Sequence, residues 1–221
     1  MGDFPAYQVI DLAKWPRREH FAYYRDQIRC GYSLTSRMDV SEMLAYSRRS
    51  GRRFYGCFLY AVSRTVNSMA SMRMMIPPEG GAGVWENVHP SFTIFHEDDH
   101  TFSDLWMEYS EDFDAFYREF VRVVEVYGKN HGIKARTGQP ANFFCASCAP
   151  WIDFDGYSTW VAGSDEPALF PIITCGKYVE EPGGATRMPV NLTISHAAAD
   201  GWHVGVFFSR LEGNFAAFRE R

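Results

Sequence analysis

The sequence has 221 residues, of which 46% are hydrophobic and 22% charged, and its formal net charge is -5. This length and composition are those of an ordinary globular protein, and they predict a single domain over residues 1–221 with a sizeable buried core. Basic residues are scattered and outnumbered by acidic ones. Nucleic acid is therefore not an expected partner, because binding a phosphate backbone requires Lys and Arg concentrated on one face.

The cysteines and apolar stretches indicate the compartment. Five cysteines are an odd number in a chain of medium size and do not resemble a disulfide framework. No stretch approaches the ~20 apolar residues of a membrane-spanning helix, and the first residues lack a signal-peptide pattern. We therefore expect a cytoplasmic protein with no membrane partner. Cys145 and Cys148 lack a second pair to complete a zinc site and lie in a predicted strand, so both are interpreted as packing residues.

Five segments have the hydrophobic spacing of helices. In the first, which follows Pro16, Phe21, Tyr24 and Ile28 share one face. The second begins with a pattern like a capping box, and glycines end the second and the fourth. The predicted helices are residues 17–29, 39–50, 54–69, 111–127 and 201–218.

The remaining apolar runs have the composition of strands. Residues 84–85 and 92–95 are predicted to form a hairpin, and short strands are predicted over 143–146, 158–162 and 171–174. Residues 190–195 alternate strictly between apolar and polar, which predicts a strand with one buried and one polar face. Helices interleaved with such strands predict a two-layer α/β sandwich built on a mixed sheet.

The alternating strand ends at His196, which is followed by three alanines, Asp200 and Gly201. A histidine held at a strand end among small residues is well placed to face a cleft and act as a general base. Two other interpretations are a structural histidine bonded to the backbone and a metal site formed with Asp200 and His203. The metal site is disfavoured because no H-E-x-x-H pattern or second ligand cluster accompanies it.

The segment from His196 to Gly201 resembles the H-x-x-x-D-G signature of the CoA-dependent acyltransferases. The resemblance to the chloramphenicol acetyltransferase family extends over almost the whole chain, in that family's order and with near-family spacing. It is carried by the stretches WPRREHF, CGYSLTSRMDV, FTIFHEDDHTFSDLW, PIITCGKY and HAAADGWHVG.

This resemblance implies an acetyl transfer from acetyl-CoA to a hydroxyl group of chloramphenicol, and hence inactivation of the antibiotic. His196 corresponds to the histidine that removes the proton of the acceptor hydroxyl. Ser147, just before Pro150-Trp151, corresponds to the serine that stabilises the oxyanion, and Thr174 to a threonine that assists through water. Asp200 corresponds to an aspartate that pairs with an arginine, here Arg17, and holds the histidine-bearing turn.

The resemblance also implies two binding regions and an assembly. Acetyl-CoA is the expected co-substrate, and no metal or redox cofactor is implied. The family forms homotrimers with active sites between subunits. The positions that correspond to the CoA channel are Tyr55, Trp151, Lys177 and Tyr178. Those that correspond to the acceptor pocket are Tyr24, Ile28, Cys30, Phe102, Asp104, Tyr157, Thr159, Val161 and Ile172.

Three positions depart from the family pattern. Ser195 replaces the first of two adjacent histidines, and Asp104 and Thr159 stand where the acceptor pocket is usually apolar. An unpaired carboxylate in an apolar pocket is costly, so Asp104 either turns outward or binds a more polar acceptor. Two alternatives therefore remain, namely an acetyltransferase for another hydroxylated small molecule and a non-catalytic CoA-binding or oligomeric core protein.

Overall fold

The structure, a computed structural model, describes residues 4–159 and 168–221. In these ranges the helices are α1 (Arg18–Ala22), α2 (Ser41–Ser50), α3 (Phe54–Asn67), α4 (Phe113–Tyr127) and α5 (Gly201–Ala216). The strands are β1 (Tyr7–Val9), β2 (Gly31–Asp39), β3 (Met74–Met75), β4 (Gly83–Trp85), β5 (His89–Phe95), β6 (Phe102–Trp106), β7 (Phe143–Ala149), β8 (Ile172–Gly176), β9 (Val179–Glu180) and β10 (Thr186–Ser195).

Seven of these strands form one mixed sheet. Their order is β2–β10–β8–β7–β5–β6, and β9 pairs with the start of β10. β7 is parallel to both β5 and β8, while the other neighbours in this sheet are antiparallel. The carboxyl ends of β5, β7 and β8 therefore meet at the same edge of the sheet. β1, β4 and β3 form a separate antiparallel sheet.

Helices α3, α4 and α5 form the second layer. Phe92 of β5 packs against Phe120 of α4, with ring centroids 5.8 Å apart, and Phe58 of α3 packs against Phe215 of α5 at 6.2 Å. All four rings are buried, and complete burial of such a side chain contributes roughly 1.5–3 kcal/mol. This arrangement confirms the predicted α/β architecture with a mixed sheet.

Two glycines have a steric role in this layer. Gly51 ends α2 with a φ of 70°, as its position in the sequence predicted. At Gly56 an added Cβ would lie 2.8 Å from the ring of Phe120 and 2.9 Å from that of Tyr117. Gly56 therefore allows α3 and α4 to approach closely.

Several predicted elements differ from the structure. The hairpin predicted from residues 84–85 and 92–95 is wrong, because β4 belongs to the small sheet and β5 pairs with β6 and β7. The first helix is shorter than predicted: after α1 the chain forms a π-helical turn, Tyr23–Gln27, and Ile28 is extended and 49% exposed rather than on the buried face. Because the π-helical turn changes the hydrogen-bond pattern and the number of residues per turn, Ile28 does not lie on the same face as the buried Phe21.

Two predicted strands also need correction. Ser158 and Thr159 have no regular structure, and the rest of the predicted strand 158–162 lies outside the described residues. The polar face of β10 is buried together with its apolar face, because Asn191 hydrogen-bonds across to β2 and to the carbonyl of Tyr157 at 2.9 Å. In residues 4–159 and 168–221, no helix combines the length and apolar character needed to cross a bilayer.

Candidate active site

A row of polar side chains crosses the main sheet on the face opposite the helices. Asp104 pairs with Thr93, Ser147 pairs with Thr174, and Thr174 pairs with Asn191. The hydroxyl oxygens of Thr93 and Ser147 are 3.2 Å apart, which links the two halves of the row. Because neighbouring residues in register point to the same face, these five side chains form one continuous polar row on that face of the sheet.

A cavity of about 1070 Å³ opens at the carboxyl ends of β5, β7 and β8. Ser147 lines it, so the hydroxyl assigned to oxyanion stabilisation is reachable from the cavity. The cavity also contains every residue assigned to CoA and two assigned to the acceptor: Tyr55, Trp151, Lys177, Tyr178, Phe102 and Tyr157. A cavity of this size, with aromatic walls and few polar groups, is typical of a site for a large small-molecule ligand.

Aromatic contacts give this cavity its shape. Trp151, which is 60% exposed, packs edge to face against Phe95 with ring centroids 4.7 Å apart. On the opposite side Tyr178 packs on Phe54 at 5.3 Å. Flat, partly exposed rings of this kind provide stacking surfaces for a purine, and the ammonium group of Lys177 lies nearby for phosphate.

His196 is held at the end of β10 by stacking and by a backbone hydrogen bond. Its ring lies face to face with Tyr24, with centroids 3.9 Å apart and planes 6° apart, and Tyr32 meets it edge to face at 5.1 Å. Its backbone N–H donates to the carbonyl of Cys30 at 2.9 Å. Nδ1 of His196 is buried and has no hydrogen-bond partner among the described residues.

Arg17 braces the turn that follows His196. Its guanidinium group donates to three consecutive carbonyls, those of His196 (3.2 Å), Ala197 (3.2 Å) and Ala198 (2.9 Å). Its Nε also lies 3.3 Å from Oδ2 of Asp200, an ion pair that lacks the alignment of a hydrogen bond. The Arg17 side chain is only 14% exposed, so these contacts are well shielded from water.

Asp200 connects this turn to α5. Its Oδ1 lies 2.7 Å from Nδ1 of His203. Burial raises the pKa of Asp200, but the hydrogen bond to His203 and the charges of His203 and Arg17 outweigh burial, so the pKa is lowered from its usual value. Burial and the nearby charge of Asp200 raise the pKa of Tyr32 to about 12, although Arg17 opposes them.

Ser147 and His196 are far apart within one chain. Ser147 is two strands away from Asn191, about 10 Å across the sheet. His196 lies five residues beyond Asn191 along the strand direction, about 17 Å further on. The two backbone positions are therefore separated by roughly 20 Å, whereas a reacting group has to lie about 3 Å from both functional groups. One chain does not bring the two groups to the same thioester.

The remaining acceptor positions have different surroundings. Asp104 does not face the cavity as a free carboxylate, since Lys134 donates to its Oδ2 at 3.1 Å. Ile172 pairs in register with Cys145 and Thr193, beside the polar row. Cys30 is exposed near His196, Thr159 is half-buried in irregular chain, and Val161 lies outside the described residues.

The structure adds residues that sequence reasoning did not select. Thr93 lies in the FTIFHEDDH stretch and Tyr32 in the CGYSLTSRMDV stretch, so both were inside the segments that carry the resemblance. Only the register of the sheet shows that Thr93 contacts Ser147, and only the folded turn shows that Tyr32 contacts His196. Thr174 Oγ1 is buried in the polar row without a hydrogen-bond partner among the described residues.

Of the cysteines of β7 and β8, Cys175 is buried, whereas Cys145 and Cys148 are half-buried. Burial, together with the charge of Asp104, raises the pKa of Cys145 to about 12. Burial also raises the pKa of Cys175 well above its usual value, and Cys175 pairs in register with Cys148. Thiols with raised pKa values are poor nucleophiles, which agrees with a packing role for Cys145.

A mixed sheet with helices on one face and a motif histidine at a strand end is the fold of the CoA-dependent acyltransferases. A solved chloramphenicol acetyltransferase superposes with a TM-score of 0.78 and 24% identity, over 96% of this chain and all of that one. A probable dihydrolipoamide acetyltransferase from Listeria monocytogenes superposes with a TM-score of 0.62 and 13% identity, over 100% of this chain and 97% of that one.

The sequence comparisons identify the family. The family model for chloramphenicol acetyltransferase matches residues 5–212. Chloramphenicol acetyltransferase 3 of Escherichia coli is 35% identical over 206 residues, which are 93% of this chain and 95% of the relative. The chain therefore belongs to the chloramphenicol acetyltransferase family and is an acetyl-CoA-dependent acyltransferase.

Proposed function

We propose that this protein transfers an acetyl group from acetyl-CoA to a hydroxyl group of chloramphenicol. The observation that carries the proposal is the position of Ser147, which opens into the cavity that also contains the CoA-type residues Trp151, Lys177 and Tyr178. The family match over residues 5–212 supports the identity of the acceptor.

In the proposed reaction, His196 removes the proton of the acceptor hydroxyl as its oxygen attacks the thioester carbonyl. The carbonyl π electrons move to oxygen, and Ser147 donates a hydrogen bond to the resulting oxyanion, a contribution of about 3–4 kcal/mol. When the carbonyl re-forms, the C–S bond breaks, and the proton held by His196 passes to the CoA sulfur. Thr174, whose hydroxyl is buried next to Ser147, assists through a water molecule.

The assembly follows from the separation of these two groups. Because the backbone positions of His196 and Ser147 in one chain are roughly 20 Å apart, the proposal requires His196 of one subunit to face the cavity of another. A cyclic homotrimer supplies three such sites, and exposed rings at the cavity, such as Trp151, would be covered by the neighbouring subunit. We take residues 1–221 as one domain and the cytoplasm, where acetyl-CoA is available, as the compartment.

The pairing of Asp104 with Lys134 bears on the acceptor. The sequence alone suggested that Asp104 could be an unpaired carboxylate in the acceptor pocket. An ion pair is less costly than that beside an apolar ligand, so chloramphenicol remains the leading acceptor. The same ion pair, together with Thr93, favours a second candidate, which is acetyl transfer to a more polar hydroxylated compound.

The direct test is release of CoA thiol by purified protein mixed with acetyl-CoA and chloramphenicol. Release that requires both the antibiotic and His196 is expected, with His196→Ala inactive and His20→Ala, at an exposed position on α1, fully active. Release with other hydroxylated compounds but not with chloramphenicol would establish the second candidate. Release unaffected by His196→Ala would overturn the proposed mechanism.

A further inference from the structure

A cluster of two histidines and two aspartates lies away from the proposed catalytic groups. His96, Asp98 and Asp99 belong to the turn between β5 and β6, and His131 belongs to the loop after α4. The imidazole rings of His96 and His131 stack with centroids 4.1 Å apart and planes 19° apart. One potential ligand atom from each of His96, Asp98 and His131 lies within 4.8 Å of the other two.

The hydrogen bonds of His96 define its tautomer. The hydroxyl of Ser103 donates to the carbonyl of Asn130 at 3.0 Å, which uses its only proton. The 2.8 Å contact between Ser103 Oγ and Nε2 of His96 therefore has the imidazole N–H as its donor. Nδ1 is then the nitrogen that carries the lone pair in the neutral ring. Since His96 is buried, this orientation is fixed by its surroundings.

His131 is oriented in the same way by a carboxylate. Its Nδ1 lies 2.9 Å from Oδ2 of Asp99, so the N–H donates to this acceptor. Nε2 then carries the lone pair, and it faces Oδ2 of Asp98 at 3.4 Å. An imidazole nitrogen that faces a carboxylate oxygen in this way offers two donor atoms to a cation placed between them.

We propose that His96, His131 and Asp98 form a zinc site. Two imidazole nitrogens and one carboxylate oxygen match the ligand types of Zn²⁺, which leaves a fourth position for water. Both histidines direct their other ring N–H to a fixed acceptor, Ser103 in one case and Asp99 in the other, as the ligands of such sites do. Both histidine side chains thus already have a supporting contact.

Binding requires a small local movement. Tetrahedral ligands at about 2.1 Å from zinc lie about 3.4 Å from one another. The three potential ligand atoms are separated by up to 4.8 Å, so they have to move closer together. The stacked rings also have to open until their lone pairs converge. The His131 side chain is 43% exposed and lies on a loop, so it is the ligand that moves, while His96 stays in place.

The site would join the β5–β6 turn, which borders the proposed CoA cavity, to the loop after α4. The β5–β6 turn carries His100, whose φ is 58°, and both His100 and Phe102 line that cavity. Zinc would tie this turn to the loop after α4 and would add to the hydrogen bond between Asp99 and His131 that already connects them. The role we assign to zinc is to stabilise the fold, and it takes no part in acetyl transfer.

The test is zinc binding to protein first treated with a chelator, followed by calorimetric titration and thermal melting. Wild type and the exposed-histidine control His20→Asn are expected to bind one Zn²⁺ per chain and to melt roughly 5 °C higher at saturating zinc. His131→Asn and Asp98→Asn are expected to lose both effects. Asp99→Asn, which removes only the supporting carboxylate, is expected to weaken binding about 10- to 100-fold.

Two results would overturn the proposal. One is a wild-type protein that neither binds zinc nor changes its melting temperature, because the cluster would then be held together by its hydrogen bonds alone. The other is a zinc-dependent rise in melting temperature that is the same in His131→Asn as in wild type, because the metal would then occupy a different site.

Discussion

Tyr24 lies flat on the imidazole of His196, with ring centroids 3.9 Å apart and planes within 6° of parallel. The two residues come from opposite ends of the chain, and Arg17 and Asp200 fasten the same two segments together. The proposed base is therefore oriented by the first fifth of the sequence as well as by the strand that carries it.

The stacking predicts a specific effect of mutations at Tyr24. Tyr24→Leu removes a contact worth about 0.5–1.5 kcal/mol, so kcat is expected to fall roughly 2- to 10-fold as the imidazole gains freedom. Tyr24→Phe keeps the ring and is expected to retain most of the activity. Steady-state kinetics of both variants check this, and equal losses in the two would show that the hydroxyl, not the stacking, matters.

Arg17 is expected to be a structural requirement of the turn after His196. Arg17→Ala leaves three carbonyls without their donor and Asp200 without its cation, at a cost of about 3 kcal/mol in the free energy of unfolding. The melting temperature should fall by roughly 6–12 °C, with loss of activity. Arg18→Ala, whose side chain is mostly exposed, is the matched control and should melt like wild type. Similar melting of the two variants would contradict this account.

The lowered pKa of Asp200 gives a stability that depends on pH. Because the folded-state pKa lies below the usual value of 3.8, the carboxylate contributes its full stabilisation above that value and loses it as the pH falls through the folded pKa. The difference in melting temperature between wild type and Asp200→Asn should therefore be constant above about pH 5 and shrink below about pH 4. Melting curves from acid to neutral pH test this. A difference in melting temperature that grows towards low pH would contradict a lowered pKa of Asp200.

Asp104 is expected to influence the acceptor without affecting CoA. Asp104→Ala removes an ion pair whose lysine is half exposed, so the change in stability should stay below about 1 kcal/mol. Because Asp104 corresponds to a position of the acceptor pocket, its removal should decrease the KM for chloramphenicol several-fold and leave the KM for acetyl-CoA unchanged. A change confined to the KM for acetyl-CoA would show that Asp104 lies on the other side of the site.

The segments with strong local periodicity were predictable from the sequence. α3, α4 and α5 follow from their apolar spacing, and the strict alternation of β10 delivered His196 to a strand end. β2 was missed because its polar residues alternate with few apolar ones and are buried only by pairing with β10. The predicted hairpin failed for a related reason, since β5 pairs with β7 about fifty residues later, and local pattern does not encode distant pairing.

The candidate site was predictable only through the resemblance. His196 and Ser147 have no relationship along the sequence that would connect them chemically, and even in the folded chain they remain far apart. Thr93 has no distinguishing local signal either, and its contact with Ser147 arises from the order of strands in the sheet. The chemistry of each residue type indicates what His196 and Ser147 could do. Which residues come together in one site depends on the order of the strands and on the assembly of subunits.

The central claim is that each active site combines His196 of one subunit with Ser147 of another. His196→Ala and Ser147→Ala are both expected to be inactive as separate proteins. After joint unfolding and refolding in equal amounts, random cyclic assemblies should recover about a quarter of the wild-type activity, because one interface in four then has both groups intact. Complete inactivity of verified mixed oligomers would contradict the claim and would require His196 and Ser147 of one chain to act together.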